Sequence, residues 1–121
     1  MIELDGAVVC VTGGARGIGK ATATALARRG ARVWIGDIDI EEADRTADEI
    51  GARAHPLDVT DPASVTAFRD AGSTDGPPDM VVNNAGIQHV APIDDFPTEK
   101  WDAIIAINLS SAFHTTAAAL P

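Results

Sequence analysis

The chain has 121 residues, of which 45% are hydrophobic, and a formal net charge of −9 at pH 7. This length allows one domain with a hydrophobic core, and the composition is typical of a globular protein. The acidic charge argues against binding to nucleic acid or to an anionic membrane surface, and the single cysteine, Cys10, excludes an internal disulfide.

Strand and helix patterns alternate along the chain. Short apolar runs predict strands, helical periodicity predicts helices, and Asp61-Pro62 is a typical helix start. In chain order the predicted elements are strand 7–12, helix 17–29, strand 32–37, helix 41–50, strand 53–57, helix 62–71, strand 79–83 and helix 98–119. This alternation predicts an α/β fold, the N-terminal half of a Rossmann-type doubly wound parallel sheet with strand order 3-2-1-4.

The turn between the first strand and the first helix is rich in glycine. Residues 12–19 read Thr-Gly-Gly-Ala-Arg-Gly-Ile-Gly. Glycines in such a turn let backbone N–H groups approach a phosphate at the helix N-terminus. Two interpretations compete. The spacing Thr-Gly-x-x-x-Gly-x-Gly fits a dinucleotide site, whereas Gly14 to Lys20 fits a P-loop, in which a Ser or Thr should stand where this chain has Ala21.

Asp37 ends the second strand and favours the dinucleotide interpretation. Its carboxylate can accept hydrogen bonds from the adenosine ribose of NAD, and it would repel the 2′-phosphate of NADP. Arg16 favours the opposite choice, because a basic side chain beside the glycines can attract a phosphate. We give Asp37 more weight, since it stands where the two cofactors differ, and predict NAD as the cofactor.

Further polar residues follow the later strands. Asp58-Val59 follows the third strand, Asn83-Asn84-Ala85-Gly86 follows the fourth, and Asn108 interrupts the apolar pattern of the last helix. Together with the glycine turn and Asp37, they occur in the order typical of the short-chain dehydrogenase/reductase family, which the chain resembles along its whole length. Each also has a structural alternative, because Asn favours turns and can bond locally within a helix.

The resemblance implies individual roles. Asp58 would bond the adenine amino group, and Asn108 would belong to the catalytic tetrad, shaping the helix and holding a water of the proton relay. The implied cofactor-binding residues are Gly13, Arg16, Gly17, Ile18, Gly19, Asp37, Ile38, Asp58, Val59, Asn84, Ala85 and Gly86. No residue is assigned to a metal.

The other members of the family's tetrad are Ser, Tyr and Lys, the last two in a Tyr-x-x-x-Lys pattern. The sequence contains no tyrosine, and its two lysines, Lys20 and Lys100, lie elsewhere. Reversible hydride transfer to or from an alcohol needs such an acid–base group. We therefore expect residues 1–121 to be a single truncated domain, the cofactor-binding half of an enzyme, and to be inactive alone.

Residues 83–120 show a narrower resemblance, to bacterial NAD-dependent 3-hydroxybutyrate dehydrogenases. It implies that Gln88 contacts a substrate carboxylate; otherwise Gln88 is a polar loop residue. The first half of the chain does not show the same closeness. The resemblance is carried by the run Asn83 to Ile93, Phe96, Lys100-Trp101-Asp102 and Ile107 to Ser110.

The expected function is hydride transfer between NAD and a secondary alcohol or ketone, with 3-hydroxybutyrate as the candidate substrate. Two alternatives remain, a non-catalytic nucleotide-binding or interaction module and a P-loop NTPase. Expected partners are NAD, a small alcohol, ketone or hydroxy acid, and a second copy of the chain through the last helix. The N-terminus shows no secretion signal, and the uncharged run 103–120 is too polar to span a membrane. We therefore expect a cytoplasmic protein.

Overall fold

The computed structural model describes residues 3–120. Its sheet consists of β1 (Val8–Thr12), β2 (Arg32–Asp37), β3 (Arg53–Pro56) and β4 (Met80–Val82). The strands are ordered β3-β2-β1-β4 and every neighbouring pair is parallel. The predicted fold class and strand order are confirmed.

The helices connect the strands and follow the last one. They are α1 (Gly17–Arg28), α2 (Ile40–Ile50), α3 (Pro62–Gly72), α4 (Thr98–Ile104), a π-helical segment (Ile105–Ser110) and α5 (Ser111–Ala119). Asp39 caps α2 by accepting a hydrogen bond from the Glu42 N–H, and Asp61 caps α3 by accepting one from the Ala63 N–H. The helix start expected at Asp61-Pro62 is therefore present.

Two hydrophobic cores lie on the two faces of the sheet, because alternate residues of a strand point to opposite faces. The core against α1 and α2 contains Ala7, Val9, Val11, Ala23, Val33, Ile35 and Ala47. The core against α3 contains Val8, Cys10, Trp34, Leu57, Val59, Val65 and Phe68. Burial raises the pKa of the Cys10 thiol to about 11, so Cys10 is an inert core residue.

The last helix differs from the continuous α-helix predicted over 98–119. The π-helical segment widens one part of it and shifts the faces that a regular helical period would give. Ser111 and Thr115 are buried, whereas Leu109 and Phe113 are 65% and 71% exposed. The small polar side of α5 faces the sheet, and the large apolar residues face outward. Within the described residues, no helix has the length and hydropathy needed to cross a bilayer.

Candidate functional site

A cleft of about 330 Å³ lies at the carboxyl ends of the strands. The chain leaves β1 toward β2 on one side, while β4 pairs with β1 on the other, so the cleft lies where the strand order reverses. This is the position at which doubly wound sheets bind ligands. The cleft is lined by Gly13, Arg16, Gly36, Asp37, Ile38, Leu57, Asp58, Val59, Asn84, Ala85, Gly86, Ile87 and Ile107.

The glycine-rich turn packs too closely against its neighbours for side chains. A Cβ on Gly14 would lie 2.2 Å from Ile35 Cγ2, and a Cβ on Gly19 would lie 2.2 Å from the Gly13 carbonyl oxygen. Gly17 differs, because its φ of +60° favours glycine while the space around it is open. The turn is thus closely packed at Gly14 and Gly19 and open at Gly17, where its backbone is accessible to a ligand.

The N-terminus of α1 has no side-chain cap. Arg16 occupies the N-cap position without making a capping bond, and the Lys20 N–H donates to the Arg16 carbonyl at 3.2 Å. The N–H groups of the three residues between them precede the first intrahelical bond and have no partner within the helix. These residues are Gly17, Ile18 and Gly19. Because these N–H groups have no partner within the helix, the start of α1 is suited to an anion, whereas α2 and α3 carry Asp caps.

Asp37 is anchored beside the turn by two backbone groups. Its Oδ2 accepts the Ala15 N–H at 3.1 Å, and its Oδ1 accepts the Asp39 N–H at 3.0 Å. A carboxylate oxygen accepts more than one hydrogen bond, so both oxygens keep capacity for a ligand hydroxyl. Asp37 therefore joins the glycine turn to the end of β2 and still presents an acceptor in the cleft.

Thr46 supports the same turn from α2, a contact that was not among the residues predicted from the sequence. Its fully buried hydroxyl donates to the Ala15 carbonyl at 2.6 Å. The backbone of Ala15 is thus held at its N–H by Asp37 and at its C=O by Thr46. The available signal was a threonine on the otherwise apolar face of α2, beside Ala43 and Ala47, because a buried hydroxyl needs a partner.

Asp58 follows β3 at the adjacent wall of the cleft. The N–H and hydroxyl of Thr60 donate to its Oδ1 at 2.9 and 2.6 Å. These bonds, first the hydroxyl and then the N–H, lower the pKa of Asp58, so it is a carboxylate at neutral pH. The Asp58 N–H donates to the Ser64 hydroxyl at 2.8 Å, which fixes its backbone. Val59 beside it is buried, whereas Ile38, which also lines the cleft, is exposed.

Asn84 ties the end of β4 to the glycine turn. Its side-chain amide donates to the carbonyls of Thr12 and Gly13 at 3.0 and 3.1 Å. The Thr12 hydroxyl in turn accepts the N–H groups of Asn84 and Ala85, both at 3.0 Å. The side-chain nitrogen of Asn84 is therefore bonded within the protein. Asn84, Ala85 and Gly86 line the cleft together.

Asn108 lies in the π-helical segment and holds the loop that follows β4. Its Oδ1 accepts the Ile87 N–H at 2.9 Å, and its Nδ2 donates to the Ile87 carbonyl at 2.8 Å. The side chain thus bonds a residue 21 positions away and not its own helix. Gln88, next to Ile87, is exposed and lies outside the cleft lining.

The cleft brings together most of the residues that the sequence indicated for a cofactor. Nine of them line it, namely Gly13, Arg16, Asp37, Ile38, Asp58, Val59, Asn84, Ala85 and Gly86. Gly17, Ile18 and Gly19 form the adjoining helix start, while Gln88 and Asn108 lie outside the lining. Among residues 3–120, no group of three or more His, Cys, Asp or Glu side chains is placed to hold a metal ion.

Comparison with known proteins agrees with this architecture. The family model described as short chain dehydrogenase matches residues 7–121. The chain belongs to the short-chain dehydrogenase family. Members of this family are oxidoreductases with a nucleotide-binding Rossmann fold, and the resemblance stated from the sequence is confirmed.

Two D-beta-hydroxybutyrate dehydrogenases are among its relatives. That of Cupriavidus necator is 49% identical over 98% of this chain and 48% of its own length, and that of Rhizobium meliloti is 40% identical over 92% and 46%. A D-threitol dehydrogenase of Mycolicibacterium smegmatis is 42% identical over 92% of this chain and 45% of its own length. The chain spans about half the length of the curated relatives it matches.

A solved structure matches the fold closely. The 3-ketoacyl-(acyl-carrier-protein) reductase from Brucella melitensis, complexed with NADH, superposes with a TM-score of 0.91 at 36% identity. The match covers 94% of this chain and 49% of the reductase. The chain therefore has the same fold as the matching half of that reductase.

Proposed function

We propose that the cleft binds NAD, and that this chain is the cofactor-binding part of an oxidoreductase that transfers hydride between NAD and a secondary alcohol or ketone. One observation carries the proposal: a single cleft joins the bare N-terminus of α1 to two anchored carboxylates, Asp37 and Asp58. Pyrophosphate, ribose hydroxyls and an adenine amino group need an anion site and two acceptors in this order.

The residues present fit such a cofactor. The N–H groups at the start of α1 are free of intrahelical bonds, and the turn leaves open space at Gly17. The free capacity of the Asp37 carboxylate suits ribose hydroxyls. Thr60 occupies Oδ1 of Asp58, which directs the remaining acceptor capacity of this carboxylate to Oδ2, the expected partner of the adenine amino group.

The chemistry of the bound nicotinamide would be to accept or give a hydride. The chain's own residues would orient it. Asn84 fixes the wall formed with Ala85 and Gly86, and Asn108 fixes the next residue of that loop, Ile87. We propose that Asn108 acts as a positioning residue beside the reaction site. Its family role in a proton relay would require the acid–base tyrosine and lysine, and the 121 residues contain no tyrosine.

We propose a 3-hydroxy acid of the size of 3-hydroxybutyrate as the substrate. The support comes from the two D-beta-hydroxybutyrate dehydrogenases among the relatives. Gln88 follows Ile87 directly, so Asn108 fixes the backbone on which Gln88 stands. The exposed Gln88 amide is free to donate to a carboxylate beyond the cleft.

The test is a comparison of binding and turnover. We expect the 121-residue chain to bind NADH, to produce no NADH from 3-hydroxybutyrate or a neutral secondary alcohol, and to hydrolyse no ATP with Mg²⁺. Fluorescence titration measures the binding, and absorbance at the NADH band measures the turnover. Mg²⁺-dependent ATP hydrolysis would support the P-loop alternative instead. Oxidation of the alcohol by the 121-residue chain would contradict the proposal that the reaction needs an acid–base group that these residues do not contain.

The outward face of α4 and α5 is expected to pair with a second copy of the chain. Large apolar side chains are exposed along this part of the chain, at Trp101 in α4, Leu109 in the π-helical segment, Phe113 in α5 and Leu120 after it. We expect sedimentation velocity to give a dimer, and Phe113→Asp to shift the equilibrium to monomer, because a charge would have to be buried at the contact. Val90→Asp, on the exposed loop, is the matched control. A monomer in the unmodified protein would contradict this assignment.

A further inference from the structure

Arg16 and Asp37 line the same cleft, at the end where the proposed function places the adenosine ribose. Arg16 is the residue before Gly17, and Ile38 also lines the cleft. A free guanidinium at this place would attract a 2′-phosphate, because Arg binds phosphates through charge-assisted hydrogen bonds. The Arg16 side chain remains 66% exposed, so it has room to move.

Arg16 is bonded to Asp39 in this structure. Its Nη2 donates to Oδ2 of Asp39 in an ion pair at the cleft rim. The pair links the glycine turn to the N-cap of α2, and the negative charge of Asp39 offsets the positive charge of the Arg16 guanidinium.

Asp39 is held in place by bonds on its other side. Its Oδ1 accepts the Glu42 N–H at 3.2 Å as the cap of α2, and its own N–H donates to Asp37 at 3.0 Å. The Glu42 N–H, and then Arg16, lower the pKa of the Asp39 carboxyl, so it stays charged near neutral pH. Asp39 is therefore a fixed anchor, and Arg16 is the mobile member of the pair.

We infer that Asp39 is a cofactor-specificity residue, which favours NAD by holding the Arg16 guanidinium away from the position of a 2′-phosphate. The inference rests on the proposed function, because it assumes that the cleft binds a dinucleotide. It assigns the preference for NAD to two separate effects. Asp37 repels the 2′-phosphate directly, while Asp39 acts only through Arg16.

A double-mutant cycle separates these effects. The variants are Asp39→Asn, Arg16→Ala and the double variant, and the readout is the ratio of the dissociation constants for NADPH and NADH. Asn keeps the cap of α2, since it is as good an N-cap as Asp. Glu41→Gln is the control, because it removes the same charge from the same helical turn.

We expect Asp39→Asn to lower the ratio of the NADPH dissociation constant to the NADH dissociation constant about fivefold. The reason is that Arg16 exchanges an exposed ion pair for a contact with the 2′-phosphate. With Ala at position 16, the same substitution should change the ratio less than twofold, as should Glu41→Gln alone. An equal change in the presence and absence of Arg16 would show simple repulsion by Asp39 and overturn the inference. An unchanged ratio in Asp39→Asn, with NADH binding intact, would also overturn it. Failure of the unmodified protein to bind either nucleotide would overturn the proposed function itself.

Discussion

Asp37→Ser is expected to remove most of the preference for NADH over NADPH. The carboxylate would repel a 2′-phosphate and accept bonds from the ribose hydroxyls, so its loss should weaken NADH binding and ease NADPH binding. An unfavourable charge pair of this kind costs on the order of 1–3 kcal/mol, which corresponds to a change of about fivefold to over a hundredfold in the ratio of dissociation constants. Titration of both nucleotides by protein fluorescence measures the ratio.

Asp48→Ser is the matched control for this substitution. Asp48 is an exposed acid on α2, so its removal changes the net charge equally without touching the cleft. The ratio of the NADPH and NADH dissociation constants in this variant should stay within a factor of about two of the ratio in the unmodified protein, because charges at a distance are screened by salt. Equal affinity of the unmodified protein for NADH and NADPH would contradict the role given to Asp37.

In an enzyme that contains this chain and acts on 3-hydroxybutyrate, as proposed, Gln88→Ala is expected to remove much of that activity. A hydrogen bond to a charged group contributes about 1.5–3 kcal/mol, so kcat/KM for the hydroxy acid should fall roughly tenfold to hundredfold. A neutral secondary alcohol of similar size has no carboxylate to lose, and its kcat/KM should change little. Steady-state rates for both substrates measure the difference.

Gln88→Glu sharpens the test of this contact. It keeps the size of the side chain but adds a negative charge, which would repel the carboxylate of the hydroxy acid and leave the neutral alcohol unaffected. The loss on the hydroxy acid should exceed that of Gln88→Ala. A parallel loss on both substrates, or an unmodified enzyme without activity on any hydroxy acid, would leave Gln88 as a loop residue only.

The fold could be predicted from the sequence because local patterns and the topology rules agree. Apolar runs alternate with helical segments, and parallel strands joined by helices have few allowed arrangements. The ends of most elements lie within one or two residues of their expected positions, as for α2, expected at 41–50 and observed at Ile40–Ile50. The last helix was predicted less well, because a regular helical period cannot anticipate the π-helical segment at Ile105–Ser110.

The candidate site could be predicted as a set of cleft residues, but not as a network of bonds. Residues that follow parallel strands meet at one edge of the sheet, which is why Asp37, Asp58 and Asn84 came together as expected. Their supporting partners are distant in sequence. Thr46 bonds Ala15 across 31 residues, and no local pattern specifies such a pair.

The ion pair of Arg16 is a further example. From the sequence, Arg16 is expected to attract the 2′-phosphate of NADP, whereas Asp37 is expected to repel it. The structure adds Asp39, 23 positions from Arg16, as its bonded partner. Only the approach of the glycine turn to the start of α2 makes that pairing visible, and it changes the expected contribution of Arg16 to cofactor choice.

A crystal structure of the protein with NADH tests the central claim most directly. The account predicts pyrophosphate density at the N–H groups that begin α1, ribose hydroxyls within hydrogen-bond distance of Asp37, and the adenine amino group at Asp58. The nicotinamide should lie along Asn84 to Gly86. Density for NADH elsewhere on the molecule, or in the cleft with its adenosine ribose away from Asp37, would contradict the account.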